Sequence, residues 1–352
     1  MQTPNAVRRL TVSAAVVAAA ALLQPVAPAS AQQVLRFHTF VPPVSASFKN
    51  VSAWAKMVEK ESGGAVKFQM YPSMQLGGKP PDLYTQTKDG VVDITYTIPG
   101  YSPGVFPRSE VIELPFICST TYVCSLAFTE LYFKYFVEEY KDVHPIVFWT
   151  PGEQVLHVKG KPIRTLEDLH NRKVRIPSRL VGEMLKELGA VPVGITGANI
   201  TEAMLRGVVE VMTFPWSIAR ANKVIDAAES HTVALSHEVI LIMAMNKKSY
   251  ERLPPAARKA VDNNSHYPTA RWFATQWVKD DQPGVQRAKK LGHEIIRLSD
   301  AERARWREKS EPVVRQWIAQ MTKAGHPAKE MVAETRRLVA KYEKEEMEMK
   351  KK

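Results

Sequence analysis

Past the first thirty residues, apolar and polar positions recur with two different periods. Leu35 to Phe40 alternates as a short strand, and Pro42-Pro43 ends it. Val51, Trp54, Met57 and Val58 then fall on one face of a helix, which Ser62-Gly63-Gly64 stops. Val66 to Tyr71 alternates again, with Val66, Phe68 and Met70 on one face and Lys67, Gln69 and Tyr71 on the other. Strand, helix and strand joined by short links predict a parallel sheet covered by helices. The same order returns later. Lys173 to Ile176 is a strand closed by Pro177, Leu180, Met184, Leu185 and Leu188 line a helix ended by Gly189, and Val191 to Ile195 is the next strand. Pro192 predicts that this last strand lies at an edge.

The two regions share one more detail. A helix at Tyr84–Lys88 leads into Gly90-Val91-Val92-Asp93-Ile94, and one at Ala203–Arg206 leads into Gly207-Val208-Val209-Glu210-Val211. Each reads as a helix followed by an apolar strand with a single acid in it. The pattern predicts two α/β lobes of similar build. It is not a repeat array, because the spacing is irregular and only two copies occur. From Pro254 the chain reads as helical and charged, with Trp272, Phe273, Trp277, Trp306, Val313, Trp317 and Ile318 as packing anchors. Ser299-Asp300-Ala301-Glu302 is a helix start. Glu343 to Lys352 is nearly all Glu, Lys and Met, and reads as a frayed helix end.

The beginning of the chain changes the picture. Arg8-Arg9, the apolar run Leu10–Leu23 and Ala29-Ser30-Ala31 predict a secretory leader, residues 1–31, cleaved near Ala31. The run falls short of the ~20 residues of a membrane span. General and twin-arginine export both remain open. The rest of the 352 residues is about twice a typical domain, which again implies two lobes. An apolar fraction of 45% and a charged fraction of 24% are those of a globular protein. The net charge of +12 favours anionic partners, but the cations are dispersed and no nucleic-acid-binding motif accompanies them. No nucleic-acid partner is expected.

Cys118 and Cys124 are the two cysteines. Six residues apart, they would face different sides of one helix, so a disulfide requires Cys118 in the preceding loop. Pro115 and Ser119-Thr120 allow that, and the spacing leaves pairing open. There is no nucleophile elbow, zinc-binding helix motif or phosphate loop. The nine histidines are scattered, and His231 and His237 are wrongly spaced for one helical turn. No catalytic residue, metal or cofactor is expected.

Arg175 is the informative residue. It sits in Lys173-Val174-Arg175-Ile176-Pro177, near the carboxyl end of a strand that helices should cover. A guanidinium there is costly unless an anion pairs with it. Open α/β sheets place ligands at that end, and the planar fork suits a carboxylate. The residues alone leave two readings open: an incoming organic anion, or an internal pair with Glu202 or Glu210.

In order along the chain, several segments resemble the DctP family, the solute-binding proteins of tripartite ATP-independent periplasmic (TRAP) transporters. They are Tyr71-Pro72-Ser73-Met74-Gln75-Leu76-Gly77-Gly78, Asp89-Gly90-Val91-Val92-Asp93, Glu113-Leu114-Pro115-Phe116, Lys173-Val174-Arg175-Ile176-Pro177, Leu188-Gly189-Ala190-Val191-Pro192-Val193 and Gly207-Val208-Val209-Glu210. Met245-Asn246-Lys247, Leu253-Pro254 and Leu298-Ser299 are weaker echoes. The resemblance implies an α/β, two-lobed, periplasmic-binding-protein-like clamshell, each lobe a mostly parallel sheet flanked by helices, with a long connecting helix. Lobe I would hold 32–152 and about 241–280, lobe II 153–240 and about 281–342, and 343–352 would be a charged tail. The implied role is to capture a small organic acid in the periplasm, as a monomer, for an integral-membrane TRAP permease. A module for a periplasmic sensor, or a periplasmic enzyme, is the alternative.

The resemblance also makes Arg175 the ligand-carboxylate arginine. Many members carry a polar residue before the proline that follows the second Gly-Val-Val strand. This chain has Thr213-Phe214-Pro215-Trp216, which argues against a sugar acid. Phe214 and Trp216, with Phe40, Tyr96 and Tyr101 from the first lobe, are candidate apolar walls, with core packing the alternative for each aromatic. His157 is a candidate hydrogen-bond partner.

Overall fold

The computed structural model describes residues 32–195, 200–234 and 237–351. The leader and its cleavage point lie outside the described residues. Two sheets organise the chain from Gln33 onward. The first has strand order β2-β1-β3-β10-β4, with β1 (Gln33–Thr39), β2 (Val66–Tyr71), β3 (Ile94–Thr97), β4 (Val143–Trp149) and β10 (Leu241–Asn246). The second has order β11-β9-β5-β8-β6-β7. Its strands are β5 (Val155–Val158), β6 (Lys173–Ile176), β7 (Val191–Gly194), β8 (Val211–Phe214), β9 (Ser230–Val233) and β11 (Glu294–Arg297). β7, with its Pro192, lies at an edge as expected.

Local signals set the elements. Ser45 caps the helix Ala46–Glu61 by accepting from the Phe48 amide at 3.1 Å. That helix buries Val51, Trp54, Ala55 and Val58 against the first sheet. The two Gly-Val-Val-acid segments are turns and not strands, since β3 starts only at Ile94 and β8 at Val211. Their acids explain why. The Asp93 carboxylate accepts from the Arg36 amide at 2.8 Å while the Asp93 amide donates to the Arg36 carbonyl at 3.1 Å. Glu210 does the same to Lys173, at 3.1 Å and 2.9 Å. In both lobes an acid clamps the neighbouring strand where pairing begins.

Both sheets are mixed. β1 runs parallel to β2 and β3, and β6 parallel to β7 and β8, but β10 is antiparallel to β3 and β4, and β5 to β8 and β9. The reason is connectivity. Strand order passes between sheets after β4, after β9 and after β10. A strand leaving for the other lobe and one arriving from it share the same end of their sheet, so they run in opposite directions.

The 25-residue helix His266–Lys290 accompanies the last of these passages. It packs on the helix Thr121–Leu131 beside the first sheet and on the helix Trp216–Ala221 beside the second. Its Asp281 accepts from the Ser217 amide at 2.8 Å. The link between β4 and β5 passes so close that a Cβ on Gly152 would stand 1.8 Å from Asp281 Oδ2.

One core surrounds the first sheet, and two smaller clusters cover the second. The C-terminal helix Ala328–Lys350, expected partly with the second lobe and partly as a frayed tail, packs instead on the helix Thr121–Leu131. Met331, Val332, Leu338 and Tyr342 join the first core. The supposed tail is tied down as well, because Tyr122 donates to Glu345 at 2.6 Å. The helix Thr121–Leu131 is buried almost all round, Glu130 excepted, and this cover is part of that burial. Cys118, in the loop before that helix, is disulfide-bonded to Cys124 with Cα atoms 5.7 Å apart.

Gly152→Ala should therefore destabilise the protein by about 1–3 kcal/mol through overpacking against Asp281. Urea denaturation checks this, and an unshifted midpoint would show that the crossing has room to spare.

Candidate ligand-binding site

The strand tips of the two lobes meet at a cavity of about 660 Å³. Phe40 follows β1, Tyr96 is on β3, Arg175 on β6, and Thr213 and Phe214 end β8. Tyr101, in a short helical turn after β3, completes the wall. The cavity thus lies at the carboxyl ends of parallel strands, where α/β sheets leave a crevice.

Arg175 occupies β6 between β7 and β8 and is 1% exposed. Its Nε donates to the Ile195 carbonyl at 3.0 Å and its Nη1 to the Thr213 carbonyl at 3.3 Å. The guanidinium carbon lies 4.3 Å from the Phe214 ring centroid. Nη2 has no hydrogen-bond partner among the described residues. The two acids proposed as internal partners are engaged elsewhere: Glu202 pairs with Arg206 at 2.6 Å, and Glu210 with Arg172 at 3.1 Å. Among the described residues, no carboxylate forms an ion pair with Arg175. Burial lowers its pKa from the ordinary guanidinium value, and the neighbouring Tyr101 hydroxyl works against that shift. Among the described residues no acid lines the cavity; its other charged residues are Lys79 and Lys223, both exposed.

The opposite wall is aromatic. Phe40 stands 5.6 Å from both Tyr96 and Tyr101, and Tyr96 stands 5.0 Å from Trp149, centroid to centroid. An unneutralised cation opposite flat apolar surfaces fits a carboxylate on a small apolar body.

The sequence pattern of bacterial extracellular solute-binding protein family 7, DctP, matches residues 37–320. The chain belongs to the DctP family. It is 38% identical to a TRAP solute-binding protein from Rhodoferax ferrireducens T118 whose crystal structure holds copurified benzoate. The two superimpose with a TM-score of 0.86 over 88% of this chain and 98% of that one. A marine metagenome TRAP solute-binding protein specific for aromatic acid ligands, crystallised with 3-hydroxybenzoate, is 33% identical, with a TM-score of 0.85 over 88% and 99% of the two chains. The C4-dicarboxylate-binding periplasmic protein DctP of Rhodobacter capsulatus is 26% identical over 288 residues, 80% of this chain and 85% of that one. Another curated relative matches over 64% of its own length. DctP-family proteins are periplasmic solute-binding proteins that bind small organic acids and work with TRAP membrane permeases.

Within this DctP-family fold, five of the seven residues singled out from the sequence meet at the cavity: Phe40, Tyr96, Tyr101, Arg175 and Phe214. His157 and Trp216 do not line it. His157, on β5, is two strands from Arg175, roughly 10 Å at the usual strand spacing. Its ring is already occupied. Nδ1 lies 2.8 Å from His231 Nδ1, and Nε2 lies 3.1 Å from the Phe214 carbonyl. Trp216 is 2% exposed, edge-on to His157 at 5.3 Å.

The contacts of His157 extend into a chain of three histidines, since His231 Nε2 lies 3.1 Å from His293 Nδ1. One carbonyl fixes every proton in it. The Phe214 carbonyl only accepts, so neutral His157 donates from Nε2 and accepts at Nδ1; His231 then donates from Nδ1 and accepts at Nε2; His293 donates from Nδ1. Burial holds His157 at about 4, and burial with the flanking histidines holds His231 at about 2, so both are neutral near pH 7. His157 therefore anchors the Phe214 backbone from behind the wall.

Sequence reasoning missed the contact between the lobes beside the cavity. Arg179, starting the helix Arg179–Glu187, pairs with Glu110 of the first lobe and, at 2.6 Å, with Glu183. A Cβ on Gly100 would stand 2.8 Å from that of Ser178. Next to them Glu113 accepts from the Ile240 amide at 3.3 Å, and burial pushes its carboxyl up to about 7. Glu113-Leu114-Pro115-Phe116 was the available signal, but nothing in it names the partner surface.

Two outcomes follow. At pH 8, nitrogen-detected NMR should find His157 as the Nε2–H tautomer and His231 as Nδ1–H; the reverse would contradict the chain. Folded Glu113 keeps its proton to about pH 7 and the unfolded group loses it near 4.5, so wild-type stability falls as pH rises between them. Glu113→Gln should gain on the wild type by about 2.5 kcal/mol from pH 5 to 8. A flat difference in urea titrations would refute this.

Proposed function

We propose that this chain captures a small aromatic carboxylic acid in the periplasm, after losing its leader near Ala31, and delivers it to a TRAP permease as a monomer. The observation that carries the reading is the buried Arg175, held by two backbone carbonyls and one aromatic face, with no carboxylate among the described residues paired to it. A ligand carboxylate supplies the missing charge, accepting from Nη2. Phe214 on one side and Phe40, Tyr96 and Tyr101 on the other then cover the ring. Two relatives at 38% and 33% identity, one holding benzoate and one specific for aromatic acids, support the ligand class. Phe214 in place of a polar residue fits the same class.

Binding of this kind is a clamshell's task. The ligand has to contact both lobes, because only differential contact favours the closed form. Capture and release are all that the reading requires, and no bond-making step is assigned to any residue.

Isothermal titration with benzoate tests it. Arg175→Ala should weaken binding by about 30-fold to several-thousand-fold, the usual cost of leaving one member of a buried charged pair alone. Arg175→Lys, which keeps the charge and loses the fork, should fall in between. Retention of benzoate affinity within threefold by folded Arg175→Ala would end this assignment.

A further inference from the structure

Among the described residues, three cations and no acid line the cavity. Arg175 is buried, and a ligand carboxylate accounts for it. The other two differ in kind. Lys79 lies between β2 and β3 of the first sheet, and Lys223 between β8 and β9 of the second. Both are exposed as well as on the lining, so they mark where the cavity meets solvent, one from each lobe.

The backbone holds each lysine at this rim. The Lys79 amide donates to the Asp82 carboxylate at 2.7 Å, just after Gly77 and Gly78 turn the chain with φ of 85° and 82°. Lys223 has a φ of 57°, in the left-handed region where side chains other than glycine are uncommon. Its amide donates to the Arg220 carbonyl at 3.1 Å, and the carbonyl of Asn222 before it accepts from the Thr201 hydroxyl. Glycine would take that conformation without cost. Strain of this sort gathers at ligand clamps and switch regions.

Neither ammonium is spent on an ion pair. The ion-paired lysines among the described residues are Lys134, Lys141, Lys161, Lys341 and Lys350, none of which lines the cavity. An exposed charge adds little to the grip on a bound ligand, because water and salt screen it. Its field still reaches an approaching anion, and a cleft lined by one sign of charge concentrates the opposite sign at its mouth.

We propose that Lys79 and Lys223 form a cationic rim that draws the organic anion into the cavity and sets its association rate, while Arg175 sets its dissociation rate. This rests on the reading above that a carboxylate docks on Arg175. The rim selects by charge before any contact is made, and no acid on the described wall opposes it.

Stopped-flow mixing with benzoate, followed by intrinsic fluorescence, measures both rates. The proteins are the wild type, the double variant Lys79→Gln with Lys223→Gln, and its charge-keeping counterpart Lys79→Arg with Lys223→Arg. At about 0.01 M salt, where a charge is felt over about 30 Å, the Gln variant should associate at least about threefold more slowly than the wild type. At about 1 M salt, where that range falls to about 3 Å, the two should agree within about 1.5-fold. Dissociation should stay within about twofold throughout, and the Arg variant should keep the wild-type association rate within about 1.5-fold. Equal association rates at low salt overturn the proposal. A loss confined to dissociation overturns it too, and puts the lysines in contact with the bound ligand. So does a deficit undiminished by salt, or an Arg variant as slow as the Gln one. Each of these leaves the aromatic-acid reading standing, whereas failure of the wild type to bind benzoate removes both.

Discussion

A guanidinium held out of water without a counter-ion is the constraint around which this protein is organised. Water would solvate Arg175 far better than two carbonyl oxygens and the face of one ring do. The position is tolerable because the carbonyls of Ile195 and Thr213 both end at the same place, where β7 and β8 run out beside β6. Their dipoles engage Nε and Nη1 and leave Nη2 without a hydrogen bond among the described residues. A charge so placed favours any conformation in which a carboxylate and two lobes surround it together.

The surroundings keep that charge uncancelled. Acids are not lacking in the interior: Glu113, Glu238 and Asp281 are all buried. Burial pushes Glu113 and Asp281 up to about 7 and raises Glu238 well above the ordinary carboxylate range, aided by repulsion among neighbouring acids. They sit beside the links between the sheets, not on the cavity wall. His237 is held neutral by its burial and then by the charge of Arg175 itself, at about 3. The protein thus carries buried titratable groups around its hinge without placing an anion against the guanidinium.

Fold and site were legible to different depths. The strand–helix–strand units were readable because apolar period and Gly/Pro punctuation are local. Local pattern does not place β10 and β5, which look like any buried strand: the family resemblance supplied their expected lobes, and only their partners reveal that they run antiparallel to their neighbours. The Gly-Val-Val-acid segments misled in a specific way. Their apolar run suggests a strand, yet the acid is spent on the amide of a neighbour that begins 37 to 57 residues away. His157 was noticed for its polarity, and what it touches, His231 and the Phe214 carbonyl, depends on register across three strands. The C-terminal helix carries no mark of its lobe at all; the apolar surface of the helix Thr121–Leu131 decided that.

The amino-acid sequence by itself determined that there are two α/β lobes, that a charged fork stands at a strand tip, and that aromatic rather than polar side chains follow the second lobe's strand. Periodicity, turn residues and side-chain chemistry are written residue by residue. Only the tertiary structure decided that Glu202 and Glu210 pair with Arg206 and Arg172 and not with Arg175, and that Cys118 meets Cys124. Whether a polar group is satisfied depends on the few ångströms around it, and those are filled by residues that the chain brings back from far along its length.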